Sequence, residues 1–499
     1  TAAVTPGEWV ELTAPLEDGT NHLVAELTPA PREEQTQLGE YEDLSSYDVV
    51  TTDIPIEVRR YGEAGQAIHV APDGDEDSTG RPNDPLDLHT AVGFAQPGQQ
   101  VVLHTGTYPL DRALTIHRGN DGTAEAPITL MSETEGRATL ELSGSADGGI
   151  DLRGDYWHLY DLEITGSQGY EKPLLIQGHH NVVERIESHH NGDTGVQISG
   201  NQNEPYELWP SHNLVLSSVA HNNADPLAND ADGFAAKLTV GDGNVFRYCI
   251  AHHNIDDGWD LYAKSTTGEI GDVVVEDSVA YDNGWLEDDP EMELTGEGNG
   301  FKLGGESMPG QHVLRNSIAY GNLAKGITSN SGPDVRVFDV TAYENGLVLP
   351  GSSAVNLQLT TSAATTDYAA EGVLSYVAGR ADDIGLREQE DTITTDPSNY
   401  FTYAGDGARD ASRNSEGVHV ADDWFVSLDT HGLRPEIAVD GSVEMRGLLE
   451  LTDAAPADAG ARLAPNPDPT SIEVHPPVES DRPGPPAHAP GPPDHAPGP

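Results

Sequence analysis

Apolar and polar residues alternate only weakly over the first part of the chain (Trp9, Val10, Leu12, then Leu23, Val24, Leu27), and this stretch closes on the strand-like run Ile54-Pro55-Ile56-Glu57-Val58. Residues 1–60 are therefore expected to be a flank packed along the main body or the remnant of a β-sandwich module. From Ala67 the pattern predicts a strand, a polar loop, a short amphipathic helix carrying Leu86, Leu88, Ala91, Val92 and Phe94, and a second strand. A helix there would cap a stack of strands whose open end otherwise exposes unpaired backbone groups.

From that point to about residue 346, short apolar alternations are punctuated by Gly, Asn and Asp, and they repeat. SVAHNN (218–223), CIAHHN (249–254), SVAYDN (278–283), SIAYGN (317–322) and VTAYEN (340–345) share a small residue, an apolar residue, Ala, an aromatic or His, any residue and Asn; IESHHN (186–191) is a weaker member. The closing asparagines Asn191, Asn223, Asn254, Asn283, Asn322 and Asn345 are spaced by 32, 31, 29, 39 and 23 residues. A variable period around a constant turn residue describes the coils of a solenoid whose loops differ in length. Parallel coils stack at about 4.8 Å, so asparagines at the same turn can hydrogen-bond from coil to coil as a ladder.

A second short strand follows each asparagine: Gly195-Val196-Gln197-Ile198, Gly233-Phe234-Ala235-Ala236, Gly258-Trp259-Asp260-Leu261, Gly300-Phe301-Lys302-Leu303 and Gly326-Ile327-Thr328-Ser329. If Val196, Phe234, Trp259, Phe301 and Ile327 stack inward, the next positions face outward, and that column reads Gln197, Ala235, Asp260, Lys302, Thr328. Asp260 and Lys302 thus become neighbours on adjacent coils. Beyond residue 346 the repeat fades, and the stretch around Trp424-Phe425-Val426-Ser427-Leu428 is expected to wrap the body or close its far end. The solenoid is assigned to residues 61–450. Residues 451–499, Pro-, Asp- and His-rich from about Ala464, read as a polyproline-like tail or linker.

Charge adds a setting to this all-β picture. A formal net charge of −59, from 84 acidic and 25 basic residues, argues against nucleic acid or an anionic membrane surface as partner. It suits a halophilic source, where salt at 1 M shortens the Debye length to about 3 Å and self-repulsion becomes tolerable. The chain has five lysines, Lys172, Lys237, Lys264, Lys302 and Lys325, four of them inside the repeats. Each is either a local salt-bridge partner or a residue with a particular task. The single cysteine, Cys249, excludes an intrachain disulfide and occupies the place of Ser218, Ser278 and Ser317, which reads as a small buried filler. No apolar run is long enough to span a bilayer. The chain begins with Thr1, and processing that removed an export signal would make the protein extracellular; a monomer is expected.

Asp232, Asp256, Asp257 and Asp260 bring four carboxylates within reach of one point across two coils. Calcium takes six to eight hard oxygen ligands, so such a set suits it better than zinc or a redox metal. The competing reading is that these acids belong to the general acidic surface; the recurrence of Asp-Gly-aromatic in register favours the site. Beside it, Lys302 would have its pKa lowered by a bound dication toward the range in which it accepts a proton, and without the ion it would be a partner of Asp260 only.

At these residues the chain resembles a known family. DADGFAAKL (230–238), NIDDGWDLYAKS (254–265) and GNGFKLGG (298–305) look like the signature of polysaccharide lyase family 9, the pectate lyases and their relatives, with the resemblance covering roughly residues 65 to 350. It implies a right-handed parallel β-helix and Ca2+ held by Asp232, Asp256, Asp257 and Asp260. It also implies Lys302 as the base that abstracts the C5 proton of an anionic polyuronate, most simply pectate or polygalacturonate, to leave a 4,5-unsaturated product. Lys237, Tyr262 and Lys325 are candidate groove residues toward that polysaccharide. The acidic segment Trp285–Glu297 departs from the pattern and lengthens the loop before the Lys302 strand. Two other classes are weighed: a glycoside hydrolase on the same fold with Asp256 or Asp257 as acid, and a non-catalytic β-helix surface or adhesion protein. The first needs carboxylates facing each other across the scissile bond; the second leaves the Asp/Lys constellation without a purpose.

Overall fold

A computed structural model of the chain describes residues 16–27, 50–63, 65–133, 138–289, 296–347, 355–385, 390–403, 411–472 and 474–475. Between Ala67 and Gly385 the chain winds as a parallel β-helix with three sheets of 11, 10 and 10 strands. Each strand pairs in parallel with its counterparts one coil before and after, at the register the repeats predict: Ala220 with Ala251 with Ala280 with Ala319 with Ala342 in the second sheet, and Phe234 with Trp259 with Phe301 with Ile327 in the third.

The interior is a stack of like on like. Phe234, Trp259 and Phe301 are fully buried with ring centroids 4.9 and 4.8 Å apart, the distance between coils. Burial of each such side chain contributes roughly 2–3 kcal/mol. The turn from the second to the third sheet is held by the asparagine ladder. Asn191, Asn223, Asn254, Asn283, Asn322 and Asn345 each donate Nδ2–H to the Oδ1 of the next, at 2.9–3.0 Å, and the ladder runs one step further than expected, to Asn356. The residue before each of the first six asparagines has a positive φ: His190, Asn222, His253, Asp282, Gly321 and Glu344. That left-handed corner suits glycine, asparagine, aspartate and histidine, which fill five of the six variable positions.

Both ends are closed by helices. Leu88–Phe94, N-capped by Asp87 whose carboxylate accepts from Thr90 N at 3.0 Å, buries Leu88, Ala91 and Val92 against the first coils. Leu86 lies before this helix rather than on it, bridged to Val70. At the far end the closure is a second helix, Glu390–Thr395, whose Ile393 joins the core. Its sequence, EDTITT, carries no amphipathic period and gave no signal. The stretch around Trp424 does the wrapping: residues 411–463 cover the outer face of the second sheet, Phe425 stacking on Tyr376 at 5.6 Å, with Met445, Leu449, Ala459 and Ala461 buried alongside. The boundary at 451 therefore falls within a packed layer, and Ile472 still lies against Ala67, Val102 and Met131 of the first sheet. The rest of the expected tail, 476–499, is outside the described residues. Of the flank 1–60, Gly19–Leu27 and Val50–Val58 form an antiparallel pair with Leu23, Val24 and Ile54 about half exposed.

Candidate active site

The third sheet carries two columns that meet at the site. The outward column has the expected register, Gln197, Ala235, Asp260, Lys302, Thr328. It is not exposed: Gln197, Ala235, Asp260 and Thr328 are buried, and the Lys302 side chain is 12% accessible. The column thus lies in a recess rather than on an open face. The second column lies one residue before the glycine that precedes each third-sheet strand and reads Thr194, Asp232, Asp257, Asn299, Lys325. Each of its first four side chains accepts a hydrogen bond from the backbone N–H of the next coil: Asp232 N to Thr194 Oγ1, Asp257 N to Asp232 Oδ1, Asn299 N to Asp257 Oδ1 and Lys325 N to Asn299 Oδ1, at 2.7–3.3 Å. Glycine follows because the coils close in here: a Cβ on Gly258 would lie 2.6 Å from Gly300 O.

A carboxylate in such a ladder spends one oxygen on the backbone and keeps the other. Asp257 Oδ2 lies 3.1 Å from Lys302 Nζ, Asp260 Oδ1 lies 3.5 Å from it, and neither oxygen has a hydrogen-bond partner, though both are buried. Asp232 Oδ2 meets Lys237 Nζ at 2.7 Å, and Lys237 also reaches Asp260 Oδ2 at 3.3 Å. Ligand atoms of Asp232, Asp257 and Asp260 all lie within 4.8 Å of one another. Three of the four expected carboxylates thus converge. Asp256 stands apart from that group: its Oδ1 accepts from Glu297 N at 2.7 Å and Gly298 N at 3.3 Å, so it anchors the end of the acidic segment. Residues 290–295 of that segment lie outside the described residues.

Electrostatics in the recess is governed by burial. Desolvation raises the carboxyls of Asp232, Asp256 and Asp257 above the ordinary range, and the neighbouring lysines only partly offset it. For Lys302 burial disfavours the ammonium, but Asp257, Asp260, Asp256 and Asp232 outweigh it and hold the group well above the usual lysine range. The expected lowering of Lys302 is therefore absent from the protein's own groups, which do the reverse. The two directions, acids and lysines both raised, are compatible: the ammoniums stay charged, and the carboxyls are crowded with one another in a medium too dry to ionise all of them easily.

Of the three groove candidates, Lys237 is part of this cluster. Tyr262 packs over Lys302, ring centroid to Nζ 5.6 Å, and donates its hydroxyl to Glu306 at 3.1 Å. Lys325 is buried against Asn299 Oδ1 at 3.4 Å, with Glu297 at 3.8 Å. Lys172 pairs with Asp193 at 2.7 Å, the salt-bridge alternative. Asn299 was not among the candidates, yet its Nδ2 donates to Asp257 Oδ1 at 2.8 Å and to Glu297 Oε2 at 2.9 Å. Its signal was present: it occupies the position of Asp232 and Asp257 in the next Gly-aromatic repeat. A cavity of about 580 Å3 between the wrapping layer and Ile318, lined by Val439, Met445 and Leu449, takes no part in this site.

Residues 68–356 match a family described as the Pel9A-like, right handed beta helix region. A pectate lyase L from Thermoclostridium stercorarium is 39% identical over 377 residues, covering 75% of this chain and 29% of that protein. A pectate lyase L from Paenibacillus polymyxa (strain SC2) is 40% identical over 286 residues, covering 56% of this chain and 63% of that one. This chain thus spans less than two thirds of the length of either relative. Among solved structures, the crystal structure of pectate lyase Pel9A aligns with a TM-score of 0.59 at 26% identity, over 83% of this chain and 96% of that one.

Proposed function

This chain belongs to the Pel9A-like right-handed β-helix family, and from that premise and the geometry of the recess we propose that it is a calcium-dependent lyase of pectate or a closely related polyuronate. The observation that carries the proposal is Lys302, an amine largely withdrawn from solvent and aimed at two buried carboxylate oxygens that lack hydrogen bonds. β-Elimination from a uronate needs a base at C5 and neutralisation of the adjoining carboxylate, so that carbanion character can develop. The carboxylate set fits calcium: Asp232, Asp257 and Asp260 supply hard oxygens that converge, and two of their buried oxygens lack a hydrogen bond. Bound there, the ion would neutralise the ligand carboxylates and the substrate carboxylate and acidify the C5 proton.

The remaining work falls to this chain's own residues. Asn299 and the backbone ladder fix Asp257 in one orientation. Asp257 and Asp260 hold Lys302 Nζ at the groove floor, and once their charge is satisfied elsewhere Lys302 can release its proton and accept the one from C5. Tyr262 shields that amine from water. Lys237 neutralises Asp232 and Asp260 from the other side. A hydrolase reading would require separated carboxylates facing each other, whereas these bunch within 4.8 Å and are clasped by lysines.

The acid-rich surface supports an extracellular, salt-adapted enzyme, acting as a monomer. The test is incubation with polygalacturonate in high salt, following the ultraviolet absorbance of the conjugated 4,5-unsaturated uronate with and without a chelator. A signal that requires calcium is expected; new reducing ends without that chromophore would replace the lyase by a hydrolase.

A further inference from the structure

We propose that His69, His104 and Glu133 form a cation site on the outer face of the first sheet, away from the groove, that takes a borderline divalent ion of the zinc class and clips the first three coils together. The three ligands come from three successive coils. His104 N donates to Val70 O and Glu133 N to Leu103 O, which places His104 and Glu133 at one coil position on adjoining coils. His69 pairs in register with Val102, so it sits diagonally before His104 on the same face. His69 Nδ1 and His104 Nε2 are 3.0 Å apart, and one ligand atom from each of the three residues lies within 4.8 Å of the others.

This is not the stacking seen elsewhere in the solenoid. Histidines in the ladders lie face to face at one register, as His221 and His252 do at 4.8 Å with planes 3° apart. His69 and His104 are offset by two positions on adjoining coils, tilted by 60°, and point nitrogen to nitrogen, a contact that neighbouring histidines also make within one coil, as His252 Nδ1 and His253 Nδ1 do at 3.0 Å. Such an approach is what two imidazoles make when they share one proton or one ion. The surroundings are preorganised: Tyr108 donates its hydroxyl to His104 O at 2.8 Å and Val70 O at 3.0 Å, fixing the backbone under both coils. His69 is 5% exposed, so its ring is held in place by the surrounding coils. Two imidazoles and one carboxylate, with Glu133 open to solvent, make an N2O set with room for water; imidazole selects zinc, cobalt, nickel or copper over calcium. The cap is where such a clip has most effect, since the first coil has a neighbour on one side only.

The experiment titrates Co2+ into metal-stripped full-length protein kept in excess Ca2+. A visible d–d band that saturates at one equivalent, disappears on adding Zn2+, and is lost in His104→Gln and Glu133→Gln is expected. Asp257→Asn should keep it. Zn2+ should also raise the thermal midpoint of the wild type and leave His104→Gln unmoved. Absence of a saturable band, a band that survives both substitutions, or one abolished by Asp257→Asn would overturn the site.

Discussion

Two ladders run side by side up the solenoid with different fates. The asparagine ladder keeps the same side chain from Asn191 to Asn356: up to Asn345 each Nδ2 donates to Oδ1 of the coil after, and Asn356 ends the run by donating to Ser375 Oγ and Tyr376 O. The neighbouring column Thr194, Asp232, Asp257, Asn299, Lys325 uses the same backbone logic with a changing side chain. Replacing amide by carboxylate leaves the N–H acceptor in place and frees one charged oxygen per coil. Uniform repetition satisfies the fold; variation within an unchanged frame builds a site whose geometry is already rigid.

The sharpest break of that comparison is Lys302→Ala. It removes no ladder bond, so the fold and calcium affinity should survive while turnover on polygalacturonate falls by about 10²–10⁴, the usual worth of a positioned proton-transfer group. Unsaturated product formed at the wild-type rate would make the charged column merely another ladder. The converse is Asn345→Ala, two rungs beyond Asn283 on the coil of Lys302. It deprives Asn322 N and Nδ2 of their acceptor and Ala319 O and Asn356 Oδ1 of a donor, all buried. Urea unfolding should show a loss of about 3 kcal/mol, with the specific rate of the folded enzyme unchanged.

Asp257→Asn turns the charged column toward the uniform one. The ladder acceptor for Asn299 N is retained and the free carboxylate oxygen lost, so the protein should fold normally while calcium affinity drops by about ten- to a hundredfold. Calcium titration by calorimetry decides it, and an unaltered affinity would remove Asp257 from the ligand set.

How much of this was legible follows from the same contrast. The asparagines, the inward aromatics and the register of Asp260 with Lys302 could be read because repetition with a fixed turn residue encodes alignment. The cap helix at Leu88–Phe94 was legible from its period; Glu390–Thr395 was not, since six residues with three threonines and a single isoleucine carry none. In the site, the convergence of Asp232, Asp257 and Asp260 followed from register. Three points did not. Asp256 turns to the amides of Glu297 and Gly298, a contact made by a loop outside any repeat. Lys237 folds back five residues to its own coil's Asp232. Burial of the recess, which raises the carboxyls of Asp232, Asp256 and Asp257, is a property of the packed coils and not of the repeat pattern.

A third ladder tests whether amides matter as amides. Asn181, Asn213 and Asn244 link the entry to the first sheet, and further on the acceptor is His312, whose Nδ1 takes Val273 N at 3.2 Å. Full burial lowers His312 to about 4. The unfolded chain protonates it near pH 6.5 while the folded chain resists to pH 4, so its contribution is complete above 6.5 and is lost as pH falls through that window. Between pH 6.5 and 5 the loss should be about 2 kcal/mol. His312→Asn restores the ladder residue, and unfolding at the two pH values should show a shallower dependence by that amount; an unchanged slope would assign the acid sensitivity to other histidines.

The smallest effect is expected where the repeat itself names the replacement. Cys249 stands in a column with Ser218, Ser278 and Ser317, where Ile186 N, Cys249 N and Ser278 N donate to the hydroxyls of Ser218, Ser278 and Ser317 respectively. Each serine also donates to the carbonyl two residues before it, and the thiol makes the same contact to Arg247 O at 3.3 Å. Burial pushes the thiol up to about 12, so it is inert as a nucleophile. Cys249→Ser shrinks the group slightly and strengthens the hydrogen bond to Arg247 O, and these effects oppose one another within about 1 kcal/mol. Thermal unfolding of the variant should therefore lie close to the wild type. A loss well beyond that would mean that packing volume, rather than the hydrogen bond, sets this column, and that a repeated residue in this solenoid can be a steric choice as well as a polar one.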